Sequence, residues 1–171
     1  MKHFVTIAFF ASAALGFGTA PGHAEKVTSP QGPVILTVTG DITVANVDDT
    51  LQFDLQSFAE LGDRTIETST IWTEGVHKFQ GVSLHTLTEL LDLMDGTLLA
   101  TAINDYTVEI PVSDATPDGP IIAYLLNDEE MSVRDKGPLW IVYPYDSSPD
   151  YRTAVIHARS IWQLDRIEVV K

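Results

Sequence analysis

Short segments rich in β-branched and other apolar residues recur along this chain, with glycine, proline, asparagine or aspartate between them. Residues of the first kind favour strands, whereas those of the second kind favour turns. The pattern therefore predicts a framework of short strands. The predicted strands are Val34–Gly40, Arg64–Trp72, Tyr106–Pro111, Ile121–Leu126, Leu139–Tyr143 and Asp165–Val170.

Two other segments have helical features. Asp54 is a candidate N-cap of a short helix that Gly62 is expected to end. From Leu84 to Met94 the apolar residues recur at the spacing of one buried helix face, and Asp95-Gly96 ends that pattern. We also expect a turn at Glu74-Gly75 and a polar loop over residues 144–152. Strands with a few helices predict an α+β or mainly β domain.

The amino terminus has the features of a secretory signal peptide. Lys2 precedes the apolar run Phe4–Phe17, and small residues lead up to His23-Ala24. This order predicts a signal peptide over residues 1–24, cleavage after Ala24 and export to the periplasm. Residues 25–171 are then predicted to form a single domain. No later segment approaches the roughly 20 apolar residues of a membrane span, so no direct membrane insertion is expected after processing.

The formal net charge of the chain is −14, and the chain contains no cysteine. This excess of negative charge repels nucleic acid at long range, so no nucleic-acid partner is expected. His77 and His85 are eight residues apart without a third nearby ligand, and this spacing is not that of a zinc site. We therefore expect no metal site in the chain.

The segment Thr68–Leu84 contains Trp72 and the sequence Phe79-Gln80-Gly81-Val82. It resembles the part of sulfite-oxidase-type molybdopterin proteins that carries a metal-binding cysteine just before a tryptophan and an aromatic-x-Gly-Val turn. The resemblance covers about residues 34–170 and implies a sulfite-oxidase-like molybdopterin-binding fold, α+β and mainly β with a few short helices. Further similar phrases follow in the family's order: Ala102–Tyr106, Glu109–Pro111, Ala123–Glu129, Lys136–Leu139, Ile141–Pro144, Arg159–Ser160 and Asp165–Val169.

The chain departs from the catalytic members of that family at the metal site. The place of the cysteine falls on Ser69 or Thr70, and a hydroxyl is a poor substitute for a soft thiolate. Trp162 falls near the position where catalytic members tend to have a lysine. These departures imply that the protein binds a pterin without using a catalytic cofactor.

The chain instead resembles the small, cysteine-less periplasmic members of this fold that bind pterins. The resemblance implies a non-catalytic, ligand-responsive regulator of an inner-membrane signalling protein, either a cyclic di-GMP enzyme or a sensor kinase. The expected ligand is a tetrahydropterin-like or molybdopterin-related pterin. The expected protein partner is an inner-membrane receptor with a periplasmic domain.

A pterin presents its 2-amino and N3–H groups as two parallel donors, which a carboxylate accepts well. Glu74 is the first candidate for this carboxylate because it lies in the matched segment, and Asp105 is the second. Aromatic rings are expected to stack on the flat bicycle, with Trp72 first among them. The other predicted ligand-binding residues are Thr70, Asn104, Tyr106, Tyr143, Tyr145, Arg152, Arg159 and Ser160.

Three further aromatic residues, Phe53, Trp140 and Trp162, are expected to lie in the core. Two other function classes stay open at this point. One is a molybdopterin-dependent oxidoreductase with a non-cysteine ligand to the metal, which predicts molybdenum in the purified protein. The other is an interaction module whose pocket is vestigial, which predicts partner binding that is indifferent to any pterin.

Overall fold

A computed structural model describes residues 27–171 of the chain. The predicted signal peptide, residues 1–24, lies outside the described residues. The described strands are β1 (Leu36–Gly40), β2 (Leu51–Phe53), β3 (Arg64–Thr70), β4 (Thr73–Ser83), β5 (Thr97–Ala102), β6 (Thr107–Pro111), β7 (Ile121–Leu126), β8 (Glu129–Glu130), β9 (Leu139–Val142) and β10 (Trp162–Val170). The described helices are α1 (Leu55–Ala59), α2 (Leu84–Leu90) and α3 (Ala154–Arg159), with short 3-10 turns at Val112–Asp114, Val133–Asp135 and Pro149–Arg152.

The strands form one extended sheet in the order β2-β1-β10-β9-β7-β4-β3. Strand β5 also pairs with β10, β6 continues from β5, and β8 pairs with β7. Only the pairing of β1 with β10 is parallel among the described strands. The part of the chain that the structure describes is therefore mainly β with a few short helices, as the sequence predicted.

The core is a continuous cluster of buried apolar side chains beneath this sheet. Phe53 and Trp140 are fully buried, which confirms the prediction that they are core residues. Phe53 packs edge-on against Phe58 at 5.5 Å between ring centroids, and Phe79 packs against Trp140 at 5.3 Å. Burial of each such ring contributes about 1.5–3 kcal/mol, so the aromatic residues make a large part of the core's stability.

Helix α1 begins at the predicted N-cap. The Asp54 carboxylate accepts hydrogen bonds from the backbone and the hydroxyl of Ser57, at 2.8 and 2.6 Å. Its second oxygen accepts from the backbone N–H groups of Gln31 and Gly32, at 2.7 and 2.8 Å. These bonds, led by the one from the Ser57 hydroxyl, lower the pKa of Asp54 far below its usual range. The carboxylate thus joins the start of α1 to the segment that precedes β1.

The end of helix α2 and the turn expected at Glu74-Gly75 differ from the sequence prediction. Helix α2 ends at Leu90 rather than Met94, because Asp92 has a left-handed backbone with φ of 52°. As a result Met94 is 90% exposed, although the helical pattern placed it on the buried face. The turn expected at Glu74-Gly75 lies instead at residues 71–72, so Glu74 belongs to β4.

The sequence prediction also missed several elements. Strands β2, β4, β5 and β8 and helix α3 were not predicted, and β10 begins at Trp162 rather than Asp165. Residues 163–165 contain an irregularity in β10, because its register against β9 shifts between Trp162 and Leu164. Within residues 27–171, no helix is long and apolar enough to cross a membrane.

Candidate ligand-binding site

A cavity of about 320 Å³ opens where the β3–β4 turn, the β5–β6 turn, α3 and the start of β10 meet. This volume is at the lower end of the range for small-molecule sites. The lining combines aromatic rings, side-chain amides and a few small residues. The lining residues are Trp72, Ala102, Asn104, Tyr106, His157, Ala158, Ser160, Ile161, Trp162 and Gln163.

Trp72 is the centre of the aromatic wall. Its ring lies edge-on to Trp162 at 5.5 Å, His157 at 5.7 Å, Trp140 at 5.9 Å and Tyr145 at 6.2 Å between centroids. Edge-to-face pairs at these distances are favourable beyond the burial of their surface. The half-buried indole of Trp72 is therefore held by neighbours on several sides.

Thr70 explains why Trp72 is in this position. The Thr70 hydroxyl accepts hydrogen bonds from the backbone N–H groups of Trp72 and Thr73, at 3.1 and 3.0 Å. It also shares a 2.7 Å hydrogen bond with the hydroxyl of Thr73. Serine and threonine hydroxyls stabilise tight turns in this way. The predicted residue Thr70 thus shapes the turn that carries Trp72 and does not itself line the cavity.

Trp162 forms a second aromatic side of the cavity. The prediction that Trp162 is a core residue is wrong, because 37% of its surface is exposed. It is the first residue of β10 and directly precedes Gln163, which has a left-handed backbone with φ of 54°. The ammonium group of Lys136 lies 5.7 Å from the Trp162 ring centroid and 5.6 Å from that of Trp140. A cation in this position is attracted by the faces of the rings.

The polar side of the cavity comes from two amides. Asn104 lies in the β5–β6 turn, where its Oδ1 accepts a 3.2 Å hydrogen bond from the backbone N–H of Tyr106. This leaves the amide N–H groups of Asn104 as donors. The Gln163 Nε2 donates to the carbonyl oxygen of Val133 at 2.6 Å, so its amide oxygen is the acceptor that remains. The site therefore offers both a donor and an acceptor without a formal charge.

A hydroxyl pair lies beneath the cavity. The Tyr145 hydroxyl donates to Ser160 Oγ at 2.7 Å, and Ser160 Oγ donates to the carbonyl oxygen of Ile156 at 2.8 Å. Burial raises the pKa of Tyr145 to about 12, so the phenol is neutral at physiological pH. Ser160 lines the cavity, whereas the predicted residue Tyr145 supports it through Ser160 and Trp72.

Tyr143 and Arg159 form a separate network around Asp114. The Tyr143 hydroxyl donates to Asp114 Oδ2 at 2.8 Å, and Arg159 Nη1 donates to both carboxylate oxygens at 2.9 and 3.2 Å. Burial, followed by the effect of the Asp114 carboxylate, raises the pKa of Tyr143 above its usual range. The network joins α3 to the turn after β6, outside the cavity lining.

The two predicted carboxylates do not line the cavity. Glu74 is exposed at the start of β4, where its carbonyl oxygen is bonded to His77 Nε2 at 2.9 Å. Asp105 is exposed in the β5–β6 turn and pairs with Arg166 at 2.6 Å. The predicted residue Arg152 is also exposed and outside the lining. Of the predicted set, the cavity brings together Trp72, Asn104, Tyr106 and Ser160.

Sequence reasoning missed three of the larger lining residues, His157, Trp162 and Gln163. His157 lies on α3, a helix too short to give an amphipathic pattern. Gln163 is brought to the cavity by an irregularity in β10 that depends on pairing with distant strands. The usable signal was Trp162, because the resemblance places this tryptophan near a position where catalytic members tend to have a lysine.

The residues at the position that the resemblance matched to a metal-binding cysteine do not fit a molybdenum centre. The Ser69 hydroxyl donates to Asp146 Oδ1 at 2.8 Å, and the Thr70 hydroxyl is committed to the β3–β4 turn. Both are hard oxygen groups, in contrast to the soft thiolate that such a metal prefers. The predicted ligand-binding residue Arg159 is paired with Asp114. Residues 27–171 also contain no cluster of three or more metal-ligating His, Cys, Asp or Glu side chains.

No protein-family pattern and no curated protein matches the chain. Among the solved structures, the chain is similar to the sulfane dehydrogenase SoxCD from Paracoccus pantotrophus, with a TM-score of 0.54 and 13% sequence identity. The match covers 78% of this chain but only 37% of the SoxCD chain. A likeness at this identity shows the fold alone. The chain is therefore a distant relative in fold, compatible with the sulfite-oxidase-like fold that the sequence resemblance predicted.

Proposed function

We propose that the cavity binds a pterin or a closely similar flat heterocycle, and that the protein is a non-catalytic, ligand-responsive regulator. The observation that carries the proposal is the meeting of two indole rings, Trp72 and Trp162, with two side-chain amides, Asn104 and Gln163, in one cavity. Aromatic rings recognise the flat apolar surface of such a ligand, and amides recognise its polar edge.

The two amides favour a pterin as the ligand over a purely apolar ring system. The edge of a pterin carries adjacent donors and acceptors, and a binding site that pairs all of them gains selectivity against ligands that leave a buried group unpaired. The amide oxygen of Gln163 would accept from the 2-amino or N3–H group. The amide nitrogen of Asn104 would donate to the ring carbonyl oxygen. This assignment replaces Glu74 and Asp105, which were the carboxylates expected from the sequence.

The regulatory part of the proposal rests on α3. This short helix contributes His157 and Ala158 to the cavity, while Val155 on the same helix is 57% exposed. A ligand that contacts His157 changes the free energy of one arrangement of α3 relative to others. The ligand can shift the equilibrium between two arrangements of α3 only as far as its affinities for the two arrangements differ. A partner that contacts the exposed side of α3, such as the periplasmic domain of a membrane signalling protein, would sense this shift.

The binding proposal is tested by titrating the purified mature protein with pterin and with biopterin, using calorimetry. Trp72→Ala is expected to weaken binding at least tenfold, because it removes the central ring of the wall. Ile71→Ala is the matched control, since Ile71 is the exposed neighbour of Trp72 and does not line the cavity. Binding that is equal in wild type and Trp72→Ala would exclude the cavity as the pterin site.

The two alternative classes give different results in a second experiment. The protein is purified from its native periplasm, and its metal content and released small molecules are measured by mass spectrometry. A released pterin without molybdenum supports the proposal. Molybdenum at about one atom per chain would instead identify an oxidoreductase with an oxygen ligand, and partner capture that ignores added pterin would identify an interaction module.

A further inference from the structure

We infer that Gln163 is a positioning residue, which holds the indole of Trp162 in the wall of the cavity. The inference rests on the proposed function, because it assigns a structural cause to the shape of the same ligand site. It concerns the free protein as well, since the position of Trp162 is set before any ligand is bound.

The first observation is that β10 does not alternate regularly at Gln163. In a regular strand, residues two apart have side chains on the same face. Trp162 and Leu164 are two apart, yet Leu164 is fully buried in the core and Trp162 is 37% exposed at the cavity. The register of β10 against β9 shifts between these two residues. An irregularity of this kind turns a side chain out of its expected direction.

The backbone of Gln163 accounts for the change of direction. Its φ of 54° is left-handed, a conformation that residues other than glycine adopt at an energetic cost. Such a conformation persists when the surrounding contacts determine it. The position would suit glycine or asparagine on backbone grounds alone, so the glutamine side chain needs another explanation.

The hydrogen bonds of Gln163 supply that explanation. Its backbone N–H donates to the Lys136 carbonyl oxygen at 2.9 Å, and its carbonyl oxygen accepts from the Ile103 N–H at 2.9 Å. Its side-chain Nε2 donates to the Val133 carbonyl oxygen at 2.6 Å. One residue therefore ties the start of β10 to the β5–β6 turn and to the 133–136 segment. Loss of the side chain removes one of these three attachments and leaves the two backbone bonds.

The attachment to residues 133–136 also affects Trp162 through Lys136. The Lys136 ammonium lies 5.7 Å from the Trp162 ring, and it makes no ion pair with a described carboxylate. On its other side, Trp162 lies edge-on to Trp72 at 5.5 Å. Trp162 also lies edge-on to Trp140, at 6.4 Å between ring centroids. Loss of the bond to Val133 leaves only the backbone bond to Lys136 between Gln163 and this segment, so we expect Trp162 to loosen while the core tryptophan, Trp140, stays fixed.

The test uses two substitutions that tolerate the left-handed backbone. Gln163→Gly keeps this conformation without strain and removes the amide, and Gln163→Asn keeps an amide that is too short to reach Val133. Asn127→Gly is the matched control. Asn127 is also left-handed, with φ of 53°, and its side chain also bonds a backbone group, the N–H of Lys78, but it lies outside the cavity lining.

Each protein is labelled with fluorotryptophan, and the resonance of Trp162 is followed by fluorine NMR without ligand. We expect this resonance to broaden or to move towards its unfolded position in both Gln163 variants, with the Trp140 resonance unchanged. We also expect the affinity for pterin, measured by calorimetry, to fall about threefold to tenfold in Gln163→Asn, the share of one aromatic contact, and further in Gln163→Gly, which also removes the proposed amide acceptor. The Asn127→Gly protein is expected to match wild type in both measurements.

The possible results separate this inference from the proposed function. A Trp162 resonance that is unchanged in both folded variants overturns the positioning role, whatever the affinity for pterin. A shifted resonance together with weaker pterin binding supports both proposals. A shifted resonance in a protein whose wild type binds no pterin supports the positioning role and overturns the proposed function.

Discussion

The hydroxyl groups of Tyr145 and Ser160 lie 2.7 Å apart beneath the candidate site, and each has a defined role in the pair. The Tyr145 hydroxyl donates to Ser160 Oγ, and the Ser160 hydroxyl in turn donates to the Ile156 carbonyl oxygen at 2.8 Å. Both residues are almost completely buried. Because of this order of donation, removing the hydroxyl of Tyr145 and removing that of Ser160 should lower the free energy of unfolding by different amounts.

Tyr145→Phe is expected to lower the free energy of unfolding by about 1 kcal/mol, because Ser160 keeps its bond to Ile156 when the phenol oxygen is removed. Ser160→Ala is expected to cost more, roughly 1–3 kcal/mol, because it leaves the Tyr145 hydroxyl buried without a partner. Urea unfolding of the two variants and of wild type measures the difference. An equal or reversed order would show that Tyr145 finds another partner in the Ser160 variant.

Stability at high pH is expected to depend on Tyr143 and Tyr145. A tyrosine in the unfolded chain has a pKa of about 10. In the folded protein, burial raises the pKa of Tyr145 to about 12 and also raises the pKa of Tyr143. The pKa of each phenol is higher in the folded state than in the unfolded state, so burying the neutral phenol stabilises the fold. This contribution to the free energy of unfolding is complete below pH 10 and is lost as the pH rises through about 12.

This alkaline loss is measured by following phenolate absorbance and circular dichroism together through an upward titration. The last phenols are expected to ionise only as the ellipticity is lost. Tyr145→Phe removes one of these groups and should flatten the decline in unfolding free energy above pH 10. Complete phenol ionisation in a protein that is still folded would contradict the prediction.

Asp114 and Arg159 are expected to be energetically coupled. Their ion pair is partly shielded from solvent, with 16% and 26% of the respective side chains exposed. A double-mutant cycle with Asp114→Asn and Arg159→Gln should give a coupling energy of roughly 0.5–3 kcal/mol. The pair Lys78 and Asp128, which is more exposed, serves as the comparison and should give a coupling below about 1 kcal/mol. Equal coupling in the two pairs would mean that burial adds nothing at Asp114.

Gly81 is expected to tolerate no side chain. Here β4 approaches β7 so closely that an added Cβ would lie 2.2 Å from the Ile122 carbonyl oxygen and 2.6 Å from the Ala123 Cα. Both neighbours are backbone atoms, so the strands must separate, and Gly81→Ala should cost roughly 3 kcal/mol, the upper end of the usual cost of overpacking. Gly32→Ala is the control, since its nearest contact is an ordinary 3.5 Å from Asp54. The thermal midpoints of both variants measure the effect.

The features predicted from the sequence are those that local chemistry determines. Asp54, for example, caps α1 through Ser57, which is only three residues away. By contrast, the backbone at Gln163 depends on pairing with distant strands, so no local pattern shows that Gln163 and Trp162 reach the cavity. The predicted carboxylate Glu74 lies outside the cavity lining for a local reason. The Thr70 hydroxyl accepts from the Thr73 N–H and closes the turn there, so Glu74 already belongs to β4.

Strand β10 pairs with β1, β5 and β9, so the strand synthesised last among those described has three neighbouring strands. Its parallel pairing with β1 joins residues from near opposite ends of the described chain. Contacts of such long sequence separation slow folding, because a large loop must close before they form. During synthesis, β1 and β9 therefore lack their shared neighbouring strand until residues 162–170 have emerged.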